Sequence, residues 1–355
     1  MERSPMSNVI QLLPLRQTKS QGTVALSQMF AHQRRAQGDI FWLKENAEWL
    51  GILRSFNGDI PPAAVEPYRE FYVSLPVQIA FFPQYYRFFL SLCLDLEDLG
   101  IDGNYGEELS HWVASQGLAQ AELSDLQRAE AERLLIRRNA LQRDADLDTR
   151  LRRFISRSET FALPNKKAAY ELAHIIFYLA DYGRIDPELA PAAITSLEYA
   201  GLLAFLDQNA DLLAEICAAL RFAGARPNLI WESFVHSAYR DCHLGQAAHP
   251  VPTDGYHTYL VTGWLSRMSG RAVFQEDIPT GQVVLYGPEE GEGALRDLSQ
   301  GLFDMGAHRS ADWSRMRQVL VPALGPQGRC VLEAAEGSTD KFDAFFEGFA
   351  RASGG

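Results

Sequence analysis

Cysteine is scarce in this chain. Four occur in 355 residues, at Cys93, Cys217, Cys242 and Cys330, far apart and mostly within apolar patterns. That usage excludes a disulfide framework and a Cys-x-x-Cys ribbon, and it predicts free thiols in a reducing, cytoplasmic setting. Long apolar runs are also missing: nothing approaches a membrane span, and no apolar signal region follows the early charges. Nor is there an excess of positive charge. The formal net charge is −12, which argues against nucleic acid or an anionic membrane as partner. The short basic clusters at 32–35 and 150–157 are interleaved with acids and read as solvated faces. A glycine-rich phosphate loop, a nucleophile elbow and an aspartate-rich diphosphate box are absent too, so nucleotide-dependent chemistry is not expected.

What is present is helical texture. Hydrophobic residues make up 47% of the chain, enough for a sizeable core. The spacing predicts a mainly α fold of paired helices joined by short Gly, Pro and Asn connections, arranged as an α/α toroid or an open helical solenoid. Residues 1–22 lack periodicity and read as a flexible lead, with Met6 as an alternative start. Residues 23–270 read as the helical body. Residues 271–355 read as a small mixed α+β appendage, with short strands at 281–287 and 329–334. The aromatic-rich stretch 75–99 reads as core. Residues 122–144, dense in alternating charge, read as an exposed helix or bridging hairpin.

One stretch carries the main site expectation. Residues 166–182 predict a helix that starts after Pro164 and Asn165 and stops at Gly183. It is apolar nearly all round, yet at 100° per residue Tyr170, His174, Phe177 and Asp181 share one face, with Glu171 and Tyr178 on its shoulder. Such a polar line inside an apolar helix needs polar partners or a wet cavity. A second helix, 231–243, aligns Glu232, His236, Tyr239 and His243. A third, 255–269, puts His257 in its first turn, where the helix dipole disfavours an imidazolium and predicts a neutral ring. Together these give His174, Asp181 and His257 as expected acid–base residues. The same three with His236 are expected metal ligands, and Tyr170, Phe177, Tyr178, Glu232 and Tyr239 are expected to line the pocket. A competing pattern pairs two Glu-x-x-His segments, Glu108/His111 and Glu171/His174, with Glu70 and Glu132 as a di-iron bundle.

The segment Asp254, His257, Thr258, Gly263, Leu265 and Ser266 resembles the Asp-x-x-His-Thr…Gly-Leu-Ser run of protein prenyltransferase β subunits. That resemblance implies a zinc-binding role for His257 at the centre of an α/α toroid. The family's Asp-x-Cys pair and its Gly-Gly-Phe repeats are missing here. Residues 41–49, 82–98, 108–112 and 166–184 resemble an uncharacterised bacterial family of helical proteins, which implies no activity. Two readings follow. One is an enzyme using a divalent metal or acid–base groups on a small, partly apolar substrate. The other is a non-catalytic helical binding or assembly protein, with a protein partner and structural polar groups.

Overall fold

Short polar residues begin six of the helices that build the body. Asp39, Ser124, Asp144, Asn165, Asn209 and Asn228 each accept a hydrogen bond from a first-turn amide of the helix that follows, satisfying donors that have no partner inside the helix. The computed structural model describes residues 19–56, 60–247, 251, 254–289 and 291–351. Among them the chain is mainly helical, with one two-stranded sheet.

The body runs through α1 (Lys19–His32), α2 (Ile40–Ser55), α3 (Arg69–Phe81), α4 (Tyr86–Asp98), α5 (Tyr105–Ser115), α6 (Asp125–Ile136) and α7 (Ala145–Ile155). It continues with the single turn α8 (Ser158–Phe161), then α9 (Lys166–Leu179), α10 (Pro191–Leu206), α11 (Ala210–Phe222), α12 (Leu229–Asp241) and α13 (Tyr256–Met268). One set of helices packs in succession: α2 on α4, α4 on α6, α6 on α9, α9 on α11, α11 on α13, and α13 back on α2. The intervening α1, α3, α5, α7, α10 and α12 each pack against one or two members of that set. Tight packing sets some of these distances. At Gly201 in α10 an added Cβ would lie 2.6 Å from the Trp231 ring of α12, so only glycine lets the two helices approach this closely.

Several expectations are corrected. The helix expected from Thr23 starts at Lys19, and Gly22 is buried with its Cα so close to Phe274 that a Cβ would sit 2.1 Å from that carbonyl oxygen. Residues 1–18, including Met6, lie outside the described residues, as do Asn57 and Gly58. The charged stretch 122–144 is not exposed throughout: Ala131, Leu134 and Leu135 of α6 are fully buried, and α6 packs between α4 and α9. Arg133, Arg137 and Arg138 pair with acids outside the stretch, Asp181, Asp95, Asp98 and Glu97, which is why charge density misreported its burial.

Beyond Gly270 the chain returns to the body. Phe274 packs edge-on against Trp49 and Tyr239, and Glu276 accepts hydrogen bonds from Tyr239 and Tyr259. Strand β1 (His243–Gln246) pairs antiparallel with β2 (Val283–Tyr286), and the Val283 amide donates to the Gln33 carbonyl. The strand expected at 281–287 is therefore β2. The one expected at 329–334 is instead part of a helix, α16 below, started by Pro326 in its first turn and burying Val331, Leu332 and Ala335 on one face. With α14 (Leu295–Met305), α15 (Trp313–Ala323), α16 (Pro326–Glu336) and α17 (Phe342–Ala350) it completes a helical C-terminal segment. One hydrophobic core runs from Leu26 to Ala350.

Candidate functional site

A cavity of about 470 Å³ is lined by all six helices of the successive set: α2, α4, α6, α9, α11 and α13. Its walls are largely aromatic and aliphatic, including Ile52, Phe88, Phe177, Val261 and Trp264. Charged groups that the helices place by simple spacing meet at one side of it, with Glu48, Glu215 and His257 in its lining and Asp211 in the lining of another space. Asp211 and Glu215 are four residues apart on α11, so they stack on one face, and His257 sits one residue inside the start of α13.

The three converge: Asp211, Glu215 and His257 each offer one ligand atom within 4.8 Å of the others. The Nε2 atom of His257 is 3.5 Å from Asp211 Oδ1 and 3.4 Å from Glu215 Oε1, too long for good hydrogen bonds. Its Nδ1 atom lies 2.8 Å from Glu48 Oε1 on α2. Asp211 also accepts from the Tyr170 hydroxyl at 2.7 Å and from Thr258 at 3.4 Å. Glu215 is nearly fully buried, and its Oε2 has no hydrogen-bond partner. His174 on α9 approaches that oxygen at 3.5 Å, but its Nδ1 lies nearer, at 2.9 Å, to the Tyr170 carbonyl. A carbonyl only accepts, so Nδ1 carries the proton and the neutral ring keeps its lone pair on Nε2.

The electrostatics show a cluster short of positive charge. Burial opposes the His257 imidazolium, but Glu48, Asp211 and Glu215 outweigh it and raise the ring's pKa far above the usual histidine range. The neutral ring expected from the helix dipole is thereby overturned; three carboxylates within 3.5 Å exceed the fraction of a charge at a helix end. Glu48 is pushed up by burial, pulled back by His257, and pushed up again by Glu215 and Asp211. Burial would raise Asp211 as well, yet His257, Tyr170 and Thr258 together lower it.

The other expected residues distribute as follows. Phe177 and Tyr178 line the cavity with His174 and His257, and Tyr170 bonds Asp211 at its edge. Asp181 does not join the cluster. Helix α9 ends at Leu179, two residues short of it, and Asp181, Tyr182 and Gly183 all take positive φ in the turn that stops the helix. Asp181 instead pairs with Arg54 at 2.7 Å and with Arg133 at 3.0 Å, one side chain behind the cavity wall. His236, Glu232 and Tyr239 lie on α12, outside the lining set: His236 meets Ser266 at 3.2 Å, Glu232 pairs with Arg221, and Tyr239 donates to Glu276. His243 leaves that helix to open β1 and stacks on Tyr286. The di-iron pattern is not assembled either. Glu70, Glu108 and His111 are exposed, and buried Glu132 accepts from the Asp144 amide.

Glu48, Asp211 and Glu215 were not singled out from sequence. A signal existed for the α11 pair: two acids at i and i+4 in the helix ADLLAEICAALRF, otherwise apolar around them. A family model described as a domain of unknown function, DUF6902, matches residues 6–352 of the chain. No curated protein and no solved structure matches.

Proposed function

We propose that this chain, which belongs to the DUF6902 family, is a divalent-metal-dependent enzyme acting on a small, partly apolar molecule inside a ring of helices. In this reading α2, α4, α6, α9, α11 and α13 are the inner staves of an α/α toroid and the alternate helices its outer layer. The ring's successive contacts and its shared cavity support that arrangement.

The observation that carries the metal assignment is the convergence of Asp211, Glu215 and His257. A tetrahedron with bonds of roughly 2.1 Å has edges of roughly 3.4 Å, the spacing found from His257 Nε2 to each carboxylate. Glu48 then acts as the carboxylate that fixes a ligating histidine, holding Nδ1–H and aiming Nε2 at the ion. Two carboxylates and one imidazole suit Zn²⁺, Mn²⁺ or Fe²⁺ and leave coordination positions open. A bound ion would supply Lewis acidity at the cavity wall. The chain's own groups divide the remaining work: His174 presents an Nε2 lone pair able to accept a proton, and the aromatic wall binds the apolar part of the substrate. The resemblance of the segment around His257 to a zinc-binding histidine supports the same residue, with Asp211 and Glu215 in place of the missing Asp-x-Cys pair.

A second reading keeps the same geometry without a metal. The raised pKa of His257 favours a structural imidazolium held by Glu48, Asp211 and Glu215. Elemental analysis of purified protein, followed by titration of the chelator-treated chain with Zn²⁺ and Mn²⁺, separates the two. One ion per chain, lost in His257→Gln and Asp211→Asn, supports the enzyme. No uptake by a folded wild-type chain assigns the structural reading.

A further inference from the structure

The ring has a second basin, and its chemistry is opposite to that of the first. Some 890 Å³ of space is bounded by the last turns of α2, α11 and α13 and by the turn after α9. The aromatic ring of Tyr182 borders both spaces, and Trp264, which lines the first, donates its indole N–H to Ser55, which lines the second. All the ionisable side chains around the basin other than Tyr182 are arginines: Arg54, Arg184, Arg221 and Arg267. No carboxylate among the described residues lines it, in a chain whose net charge is −12.

Two of these arginines are already spoken for. Arg54 is held by Asp95, Asp98 and Asp181, and Arg221 by Glu232. Among the described residues the Arg184 side chain donates only to the Arg54 carbonyl, and the Arg267 side chain has no hydrogen-bond or carboxylate partner. The Arg267 guanidinium instead lies 4.2 Å from the centre of the Phe56 ring, where burial alone lowers its pKa. Helix dipoles account for arginine in the last turns of α2, α11 and α13. They do not account for Arg184, which lies beyond the end of α9, nor for four guanidiniums converging on one concave space beside Phe56, Phe222 and Tyr182.

We infer that this basin is an anion site for a phosphorylated small molecule, its phosphate taken by Arg184 and Arg267 and its ring or apolar part packed on Phe56 and Phe222. Guanidinium forks match phosphate oxygens, and a planar cation already stacked on an aromatic ring loses little freedom in binding.

Calorimetric titration of the full chain in chelator, with inorganic phosphate, pyrophosphate and phenyl phosphate at constant ionic strength, tests the site. The expected result is one site per chain, with phenyl phosphate bound more tightly than inorganic phosphate. Binding should weaken about tenfold in Arg267→Gln, lose detection in Arg184→Gln/Arg267→Gln, and persist in His257→Gln. Arg184→Gln alone, at an exposed position, should weaken binding without affecting the fold, which keeps the test open if Arg267→Gln does not fold. Absence of binding by any probe, equal binding by the double variant, or loss of binding in chelator would overturn the assignment. Phenyl phosphate held no more tightly than inorganic phosphate would overturn the aromatic part of it.

Discussion

Two groups of charges meet the central cavity, one at Arg133 and the other at Glu48, Glu215 and His257, and they are balanced differently. On the α2–α4–α6 side, Arg54, Arg133, Arg137 and Arg138 face Asp95, Asp98, Glu97 and Asp181. Their closest contacts run from 2.7 to 3.0 Å: Arg54–Asp181, Arg137–Asp95, Arg133–Asp181 and Arg138–Glu97. Charge is matched, and the atoms left over are of both kinds, the donors Arg133 Nε and Arg137 Nη1 and the acceptor Asp95 Oδ1. On the α11–α13 side, three carboxylates surround one imidazole, the contacts to Nε2 lengthen to 3.4–3.5 Å, and the leftover is an acceptor, Glu215 Oε2. A matched cluster is complete as built and ties helices together. A cluster with excess negative charge holds its geometry at a cost and gains from any added cation.

The largest effect should come from breaking the matched side. Arg54→Ala removes the partner shared by buried Asp95 and Asp181 and by Asp98, which keep Arg137, Arg133 and Arg138; the expected loss is about 3 kcal/mol of stability, measured by urea unfolding with an unchanged slope. If Arg54→Ala unfolds at the wild-type midpoint, the arginine cluster is not what joins α2 to the end of α9. Next in size is completion of the mismatched side. Adding Zn²⁺ or Mn²⁺ at about 100 times its dissociation constant should stabilise the chelator-treated chain by about 2.7 kcal/mol, seen as a rise in Tm. Asp211→Asn and His257→Gln should show no such rise, whereas Arg54→Ala, if folded, should keep it.

Glu215→Gln sharpens the contrast further. Without metal it removes one of three crowded carboxylates, so stability should hold or increase, on the order of 1 kcal/mol. The same change should abolish metal uptake. A substitution that strengthens the empty fold and weakens ion binding is the pattern of a site built for a ligand. The corresponding change on the other side, Asp181→Asn, should destabilise, because Arg133 loses its carboxylate and Arg54 loses one of three.

Sequence pattern made one side of this comparison partly legible and hid the other. His174 and His257 stood out because imidazole inside an apolar helix needs a partner, and both reach Glu215. Asn165 marked the start of α9 correctly, but a stop at Gly183 set its end three residues late, and helical projection carried Asp181 past the point where the backbone turns left-handed. Glu48, Asp211 and Glu215 were missed for a different reason. Periodicity ranks a helix by its apolar face, and an acid within that face is read as noise unless its partner on another helix is known. Arg133 shows the limit most clearly. It belongs to a highly charged helix, yet only 8% of its side chain is exposed, because Asp181 and the rings of Tyr178 and Tyr182, 48, 45 and 49 residues away in sequence, close over it. Long-range pairing of this kind leaves no mark in a window of neighbouring residues.

The remaining expected effect lies in pH, and its sign separates the two clusters. His257 has a folded pKa above its unfolded value of about 6.5, so its stabilising contribution is complete below that value and falls away as pH rises. Asp98 behaves oppositely: with its pKa drawn down to about 2 by Arg137 and Arg54 against the cost of burial, its contribution is present above about 4 and is lost as pH falls toward 2. Chelator-treated protein should therefore lose stability gradually from pH 6.5 to 9, and His257→Gln should flatten that decline while leaving the acid limb in place. Metal should invert the slope, since an ion at Nε2 displaces a proton and binds more tightly as pH rises. Thermal unfolding across this range, with and without Zn²⁺, reads both limbs; a decline that survives in His257→Gln would move the titrating group away from the α11–α13 cluster.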